Sequence, residues 1–373
     1  MPQTPQTLIP PALLKKSDKI LFIAHLALGD FTYLQNFFQA FARANPHLKV
    51  HLWVDEVRRT SDPAQWKHLE KYSLYDWVAA CPFFDKIYTR TYSPALYQES
   101  IEEAQREHYP IVVSLATLRP HLYAGLARSI SPDGLVIGMK KRVKFYQPHH
   151  QLAYRKLNAA IPPYSVDRAN PQHISDVYAH WFHQLSGLEV GAAERFPFVD
   201  IPQQWRDYAQ EKLTSWNAKA ASGQSGKLVF INPYAKTKKR CWPLEHVAEL
   251  IIGMKKLDAW RDSSFIVNAV PQELEHARAI ISGYQLERTE LFSAEENFFQ
   301  LPAILERCDL IISVETAVMH LANAVHVPVI ALMRQKNPEW VPIDRANSTV
   351  ITAPSRRDWV KAVSVEQVLK AIP

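Results

Sequence analysis

Short runs of apolar residues alternate with amphipathic segments along most of this 373-residue chain. The clearest example is the segment 309–333, where apolar runs at 310–314 and 328–333 flank a helical pattern at 316–325. Buried strands on either side of a helix are typical of a parallel sheet that is covered on both faces. The pattern therefore predicts an α/β fold.

The alternation of strand and helix occurs twice, and a chain of this length exceeds the usual size of one core, so we predict two domains. The first series has predicted strands at 19–24, 49–54, 85–88, 111–114 and 135–138, and helices at 31–44, 63–80, 94–108, 120–131 and 172–186. The second adds strands at 227–232 and 264–270 and helices that start at 243, 271, 298 and 359. We expect an N-terminal domain over 1–190, a linker over 191–202 and a C-terminal domain over 203–373, with a terminal helix over 359–371 that is free to pack back on the first domain.

Composition excludes several classes of site. With 10 Gly and 26 Pro, and with no Walker A, Gly-x-Gly-x-x-Gly, Gly-x-Ser-x-Gly or Asp-x-Asp sequence, the chain offers neither a glycine-rich phosphate loop nor an obvious metal–diphosphate clamp. The net charge of +6 is interpreted as a modest excess spread along the chain. Such an excess suits small phosphates or an acidic membrane surface, but it does not indicate a nucleic-acid partner.

The cysteines and the apolar runs indicate the cellular compartment in which the protein works. Three isolated cysteines predict neither a disulfide framework nor a zinc site, and the first 16 residues lack the apolar core of a signal peptide. The longest apolar run is broken by Glu315, His320 and His326, so no transmembrane span is predicted. We expect a cytoplasmic protein.

The first candidate site follows the first predicted strand, at the edge of the sheet where ligands bind. Gly29 permits close approach of the backbone. Asp30 has two interpretations: an N-cap that satisfies free N–H groups, or a general base that takes a proton from a hydroxyl group. His25 is more typical of loop packing than of a reacting group.

A second site is a group of cations between the strand 227–232 and a helix with Pro243 as its first residue. These cations are Lys236, Lys238, Lys239 and Arg240. A charged run is often only a solvated loop, but its position at the ligand edge favours phosphate binding. Asn268, near the end of the next predicted strand, and Glu273, just after it, suit a pocket for a nucleotide base and ribose, although an ordinary turn between strand and helix explains them nearly as well.

The third site is the start of the predicted helix 316–325. Glu315 either caps this helix or accepts hydrogen bonds from sugar hydroxyls. The backbone N–H groups that follow, at Thr316, Ala317 and Val318, are suited to an anion such as a diphosphate. His320 lies one turn further and is ambiguous.

Further cations follow strands of the first domain. They are Arg58, Arg59, Arg119, Lys140, Lys141, Arg142 and Lys144. Each alone is typical of a solvated surface. Together, at the ligand edge, they predict a basic wall for an anionic acceptor.

Three of these segments, in order, resemble glycosyltransferase family 9, the ADP-heptose:lipopolysaccharide heptosyltransferases. Residues 28–30 are similar to the Gly-Asp signature of that family, and residues 240–245 resemble its Lys/Arg-x-Trp-Pro-x-Glu element. Residues 313–322 resemble its Asp-Thr-Gly-x-x-His-Leu-Ala signature, with Glu315 in place of Asp and Ala317 in place of Gly.

This resemblance implies a GT-B fold, in which two Rossmann-like domains face each other across a central cleft. It implies an inverting, metal-independent transfer of heptose without a cofactor, with Asp30 as base and Arg240 at the diphosphate of an ADP-heptose donor. The implied acceptor is a lipid-linked, anionic saccharide of the lipopolysaccharide inner core, at the cytoplasmic face of a Gram-negative inner membrane. Another nucleotide sugar, a capsule or protein acceptor, and a catalytically silent binding protein remain as alternatives.

Overall fold

A computed structural model describes residues 7–161, 172–218 and 226–373. The chain divides into two compact units, Met1–Arg195 and Phe196–Pro373. Each unit has a six-stranded sheet in which all paired strands are parallel.

The sheet of the first unit consists of β1 (Lys19–Ala24), β2 (Lys49–Val54), β3 (Lys86–Tyr88), β4 (Ile111–Ser114), β5 (Leu135–Met139) and β6 (Ala159–Ile161). Its helices are α1 (Pro11–Lys16), α2 (Leu28–Ala44), α3 (Pro63–Glu70), α4 (Leu74–Ala79), α5 (Pro94–Arg106), α6 (Pro120–Ile130), α7 (Pro148–Tyr154) and α8 (Ile174–Ser186). The strand order β3-β2-β1-β4-β5-β6 changes direction between β1 and β4. A ligand crevice is expected at the carboxyl ends of these two strands.

Aromatic packing fixes α2 and α8 against β1. The ring of Phe22 in β1 lies 5.2 Å from that of Phe38 in α2 and 5.8 Å from that of Phe182 in α8, measured between centroids. Such rings bury large apolar areas and prefer defined mutual orientations. The start of α2, which includes Asp30, is therefore held at the carboxyl end of β1.

Proline is the first residue of α3, α5, α6 and α7. The first backbone N–H of a helix has no partner within the helix, so proline loses nothing by lacking one there. Each of these helices follows a strand of the first sheet and starts on the side of its carboxyl ends.

The second unit repeats this architecture. Its strands are β7 (Leu228–Asn232), β8 (Ser264–Asn268), β9 (Thr289–Phe292), β10 (Leu310–Val314), β11 (Val329–Met333) and β12 (Ser348–Thr352). Its helices are α9 (Gln203–Ser215), α10 (Leu244–Met254), α11 (Leu274–Gly283), α12 (Gln300–Leu305), α13 (Ala317–Ala324) and α14 (Val365–Leu369). The order β12-β11-β10-β7-β8-β9 changes direction between β7 and β10.

Several predicted elements differ in extent. The segment 63–80 forms two helices, α3 and α4, and the predicted terminal helix 359–371 is reduced to α14. This helix packs on α10 and places Val365 and Val368 in the core of the second unit. Within the described ranges, no helix combines the length and the apolarity that are needed to cross a bilayer.

Candidate functional site

Amide side chains link three strand ends at the reversal point of the second sheet. Asn232, the last residue of β7, donates to Ser313 Oγ at 3.1 Å and to Thr316 Oγ1 at 2.9 Å. Asn268, the last residue of β8, donates to Asn232 Oδ1 at 2.8 Å. This network lies at the carboxyl edge, where the crevice of an open parallel sheet is expected, and it fixes the orientation of Asn268.

The helix α13 begins at Ala317, one residue later than predicted, with Thr316 as its N-cap. Thr316 Oγ1 accepts a long hydrogen bond, 3.4 Å, from the N–H of Val318. Ala317 does not have a positive φ, so its methyl group is accommodated without backbone strain. The start of α13 can therefore present backbone N–H groups to an anion although a glycine is missing.

Glu315 connects β10 to this helix, and its side chain is only 4% exposed. Its Oε1 accepts from Arg240 Nη2 and Arg334 Nη2, both at 3.2 Å, and from Asn337 Nδ2 at 2.5 Å. Its Oε2 accepts from the backbone N–H and the Nε of Arg334, both at 3.3 Å. The carboxylate predicted to accept from sugar hydroxyls is thus engaged by donors of its own chain and positions two guanidinium groups.

Arg240 is held at a second point, because its Nη2 also donates to the backbone oxygen of Glu315 at 2.8 Å. Its Nε is buried and has no partner among the described residues, so this donor of the guanidinium group is left unsatisfied there. The residue follows an exposed turn that carries Lys236, Lys238 and Lys239. The cations predicted from the sequence for phosphate binding therefore lie beside the start of α13.

Arg334 was not predicted as a site residue, although it directly follows β11 and the rule used for the other strand ends applies to it. Its guanidinium lies 5.0 Å from the centre of the Trp359 ring. The ammonium groups of Lys239 and Lys336 lie 5.9 and 5.8 Å from the same ring. Three cations thus lie within 6 Å of the Trp359 ring at this edge of the sheet, in the range of cation–π interactions.

Trp242, beside Arg240, and the predicted residues His320 and Glu273 have different surroundings. Trp242 is buried and donates to the backbone oxygen of Val363 at 2.9 Å, so it anchors the segment before α14. His320 is buried in α13, with its ring 5.9 Å from that of Trp340. Glu273 lies in a short 3₁₀ turn after β8 and is partly exposed.

Asp30 of the first unit lies in the first turn of α2, which begins at Leu28, three residues earlier than predicted. Its Oδ2 accepts from the backbone N–H of Ala27 at 3.1 Å, and its Oδ1 accepts a long bond of 3.4 Å from the Tyr178 hydroxyl. Burial raises the pKa of the Asp30 carboxyl, and these hydrogen bonds oppose that rise. A carboxylate with a raised pKa is a stronger base than an ordinary one, which suits proton abstraction.

His25 lies at the end of β1 and is partly buried, which lowers its pKa and favours the neutral ring. Its Nε2 accepts from the N–H of Leu118 at 3.4 Å, which assigns the ring proton to Nδ1. That Nδ1 is buried without a partner in the described part of the chain. Nearby, Arg119 adopts a left-handed backbone, φ 51°, just before α6, a strained conformation that is enriched at functional sites.

The predicted basic wall separates into two groups. Arg58 forms two hydrogen bonds with Glu56, at 2.7 and 2.6 Å, and Arg59 pairs with Asp55 at 2.5 Å, so both charges are offset locally. The remaining cations are exposed and form no ion pair within the residues that the structure describes: Arg119, Lys140, Lys141, Arg142 and Lys144. Unlike Arg58 and Arg59, these five can bind an external anion without first breaking an ion pair.

Comparison with known proteins supports the same fold. A structure of a family 9 glycosyl transferase from Veillonella parvula superposes with a TM-score of 0.73 at 20% identity and covers 95% of this chain and 96% of that one. The Escherichia coli ADP-heptose lipopolysaccharide heptosyltransferase II gives a TM-score of 0.64 at 14% identity, covering 94% and 96%. The E. coli heptosyltransferase WaaC with ADP gives 0.60 at 17% identity, covering 95% and 96%. No curated protein sequence matched the chain.

The family model for glycosyltransferase family 9 (heptosyltransferase) matches residues 138–368, which is more than half of the chain. The matched segment contains the cations and the Glu315 network of the second unit, whereas Asp30 lies before it. Together with two parallel sheets of the GT-B type, this match establishes that the chain is a glycosyltransferase and belongs to family 9.

Proposed function

We propose that this protein transfers a heptosyl group from ADP-heptose to an anionic, lipid-linked saccharide of the lipopolysaccharide inner core, with inversion and without a metal ion. The observation that carries the donor half of this proposal is the group of cations held around Glu315. Arg240 and Arg334 are oriented by one buried carboxylate and lie at the ligand edge of the second sheet. Such an arrangement suits a diphosphate.

In the proposed reaction, Asp30 accepts the proton of an acceptor hydroxyl as its oxygen attacks the anomeric carbon of the donor. The bond from that carbon to the diphosphate oxygen breaks, and ADP departs with the bonding electrons. Fixed cations such as Arg240 offset the charge that develops on the diphosphate, and they therefore lower the barrier more than they tighten binding of the ground state. The raised pKa of Asp30 and the exposed cations of the first unit support the acceptor half.

The test is Asp30→Asn, assayed by release of ADP in the presence of a phosphorylated inner-core acceptor. Loss of a general base is expected to lower kcat by about 10²–10⁴-fold. The affinity for ADP, measured by calorimetry, is expected to stay within about twofold, because the donor contacts proposed here lie in the other unit.

Asp62→Asn is the matched control, since Asp62 is an exposed carboxylate that likewise accepts a backbone N–H at the start of a helix. If Asp30 acts only as a helix cap, the two variants will lose stability alike and keep their turnover. Unchanged turnover of Asp30→Asn rules out the proposed base.

Another nucleotide sugar as donor is the second candidate, and Glu315 and Ala317 favour it because both depart from the family signature. A longer carboxylate displaces its oxygen atoms by about one C–C bond, roughly 1.5 Å. A thermal-shift panel of ADP-, GDP- and UDP-sugars separates the two candidates. Stabilisation by ADP-heptose alone supports the first, and stronger stabilisation by a GDP- or UDP-sugar supports the second.

A further inference from the structure

The positive charge of the chain is concentrated in one segment, so the interpretation that the excess is spread along the chain was wrong. Residues 108–166 include eight Lys or Arg and one Asp, a net charge of +7, whereas the whole chain has +6. The rest of the chain is therefore slightly acidic overall. An anionic partner will be attracted to this segment more than to the molecule at large.

The same segment carries an unusual share of exposed apolar side chains. Phe145 is 97% exposed, and Tyr146 is 58% exposed. Leu118, Leu122 and Leu152 are also exposed. Single exposed leucines are common on protein surfaces, but several large apolar side chains in one place mark an interaction site.

Contacts between α6, α7 and the loop at 140–147 bring these side chains together. The ring of His121, near the start of α6, stacks on that of His150 in α7, with centroids 3.7 Å apart. The backbone N–H of Lys141 donates to the hydroxyl of Tyr154 in α7 at 3.3 Å. The exposed leucines lie within three positions of the stacked histidines and therefore flank this contact.

Cations and apolar groups are interleaved in the loop itself. The rings of Phe145 and Tyr146 are 5.3 Å apart, and the ammonium of Lys144 lies 5.5 Å from the ring of Tyr146. We call the whole surface the basic-apolar face; its members are Leu118, Arg119, Leu122, Lys140, Lys141, Arg142, Lys144, Phe145, Tyr146 and Leu152. Asp133 is the only acidic residue between 108 and 166 in the sequence, so little within the segment offsets the charge of this face.

We propose that the basic-apolar face docks on the surface of an anionic lipid bilayer. Lipid phosphates attract the cations, and Phe145, Tyr146 and the leucines enter the boundary between head groups and acyl chains. A nucleic-acid duplex would be met by the cations alone, and a single strand could stack its bases on Phe145 and Tyr146 but would leave the three exposed leucines without a role. The proposed function assigns five of these cations, Arg119, Lys140, Lys141, Arg142 and Lys144, to the lipid-linked acceptor, and the docking rests on that function in that the same charges serve both. Binding to a bilayer requires neither donor nor acceptor, so it can be measured separately from transfer.

The full-length protein is tested by co-sedimentation with vesicles of phosphatidylglycerol and phosphatidylcholine, with vesicles of phosphatidylcholine alone as reference. We expect binding only to the anionic vesicles. The double variant Lys144→Gln with Phe145→Ser is expected to weaken partitioning into the anionic vesicles about fiftyfold. This factor is the product of about fivefold for the lost charge and about tenfold for the lost ring. Both side chains are exposed, so the fold is retained.

Lys256→Gln with Leu257→Ser is the matched control, because it removes an adjacent pair of exposed cation and exposed leucine from the second unit. It is expected to change partitioning less than about twofold. Absence of wild-type binding, or equal losses in the two double variants, would overturn the proposal. The single variant Lys144→Gln separates the two groups: a loss as large as that of the double variant would also overturn the proposal, since it would assign the face to a purely ionic ligand such as free phosphate.

Discussion

Glu315→Gln tests whether one buried carboxylate holds the cationic edge of the second unit together. The substitution keeps the size of the side chain but removes the charge that Arg240 and Arg334 share. It also places an amide donor or a neutral oxygen opposite donors of Arg334 and Asn337. Two guanidinium groups are then left close together without a counter-charge.

The expected cost follows from the burial of the three side chains. Removal of one partner from a buried ion pair costs about 3–5 kcal/mol. The side chain of Glu315 is 4% exposed, but that of Arg240 is 30% exposed and that of Arg334 is 13% exposed, so water offsets part of the loss. We therefore expect about 2–3 kcal/mol.

Hydrogen exchange measured by mass spectrometry reports this loss locally. Peptides that cover β10 and α13 should lose protection by about 30–150-fold, which corresponds to 2–3 kcal/mol of opening free energy. Glu306→Gln is the control, since Glu306 pairs with Arg206 in the same unit but both side chains are about one-third exposed. That pair should contribute less than about 1 kcal/mol, which is at most about fivefold in protection.

Glu315→Asp extends the test, because it keeps the charge but shortens the reach of the carboxylate by about 1.5 Å. Its loss of protection should lie between those of the wild type and Glu315→Gln. Equal protection in Glu315→Gln and in the Glu306→Gln control would refute the reasoning. In that case, the arginines would be held by other contacts.

Two further predictions concern the reaction. Tyr178→Phe removes a hydrogen bond that opposes the raised pKa of Asp30, so that pKa should rise further and the acidic limb of the kcat/KM profile should move to higher pH. Tyr75→Phe, which removes a hydroxyl that has no partner among the described residues, should leave the limb in place. A shift to lower pH in Tyr178→Phe contradicts the assignment of Asp30. Arg240→Ala should lower kcat/KM by about 10²-fold in steady-state kinetics. Arg206→Ala, which removes an arginine that pairs with Glu306 and not with Glu315, should lower it less than about twofold. Equal losses would exclude a specific role for Arg240.

The central elements were predictable because most of their residues are apolar. The strands β1, β2, β4 and β10 match their predicted bounds, since a strand buried on both faces reads as a continuous apolar run. The edge strands β6, β9 and β12 were missed, because Ala159–Ile161 has only three residues and Thr289–Phe292 and Ser348–Thr352 are short and half polar. An edge strand buries less of its surface, so its pattern is weaker.

The candidate site was predicted only in part, for a related reason. Asp30 and Arg240 are recognisable because each follows a strand that the pattern identifies. Tyr178, which contacts Asp30, comes from a distant part of the sequence, and only the folded chain brings the two together. Arg334, which shares Glu315 with Arg240, directly follows a predicted strand, but its connection to Arg240 is visible only in the structure. The role of Glu315 could not be predicted because it depends on which donors reach its carboxylate.

The prolines that begin α3, α5, α6 and α7 have a consequence for ligand recognition. Each fixes φ near −65° and narrows the range of conformations open to the unfolded chain, and the four follow the carboxyl ends of successive strands. The segments that follow the carboxyl ends of these strands are thus stiffened, because the proline ring restricts the backbone φ angle at each helix start. An incoming saccharide should meet a surface whose shape already exists, and little of its affinity should be lost to ordering of the loops.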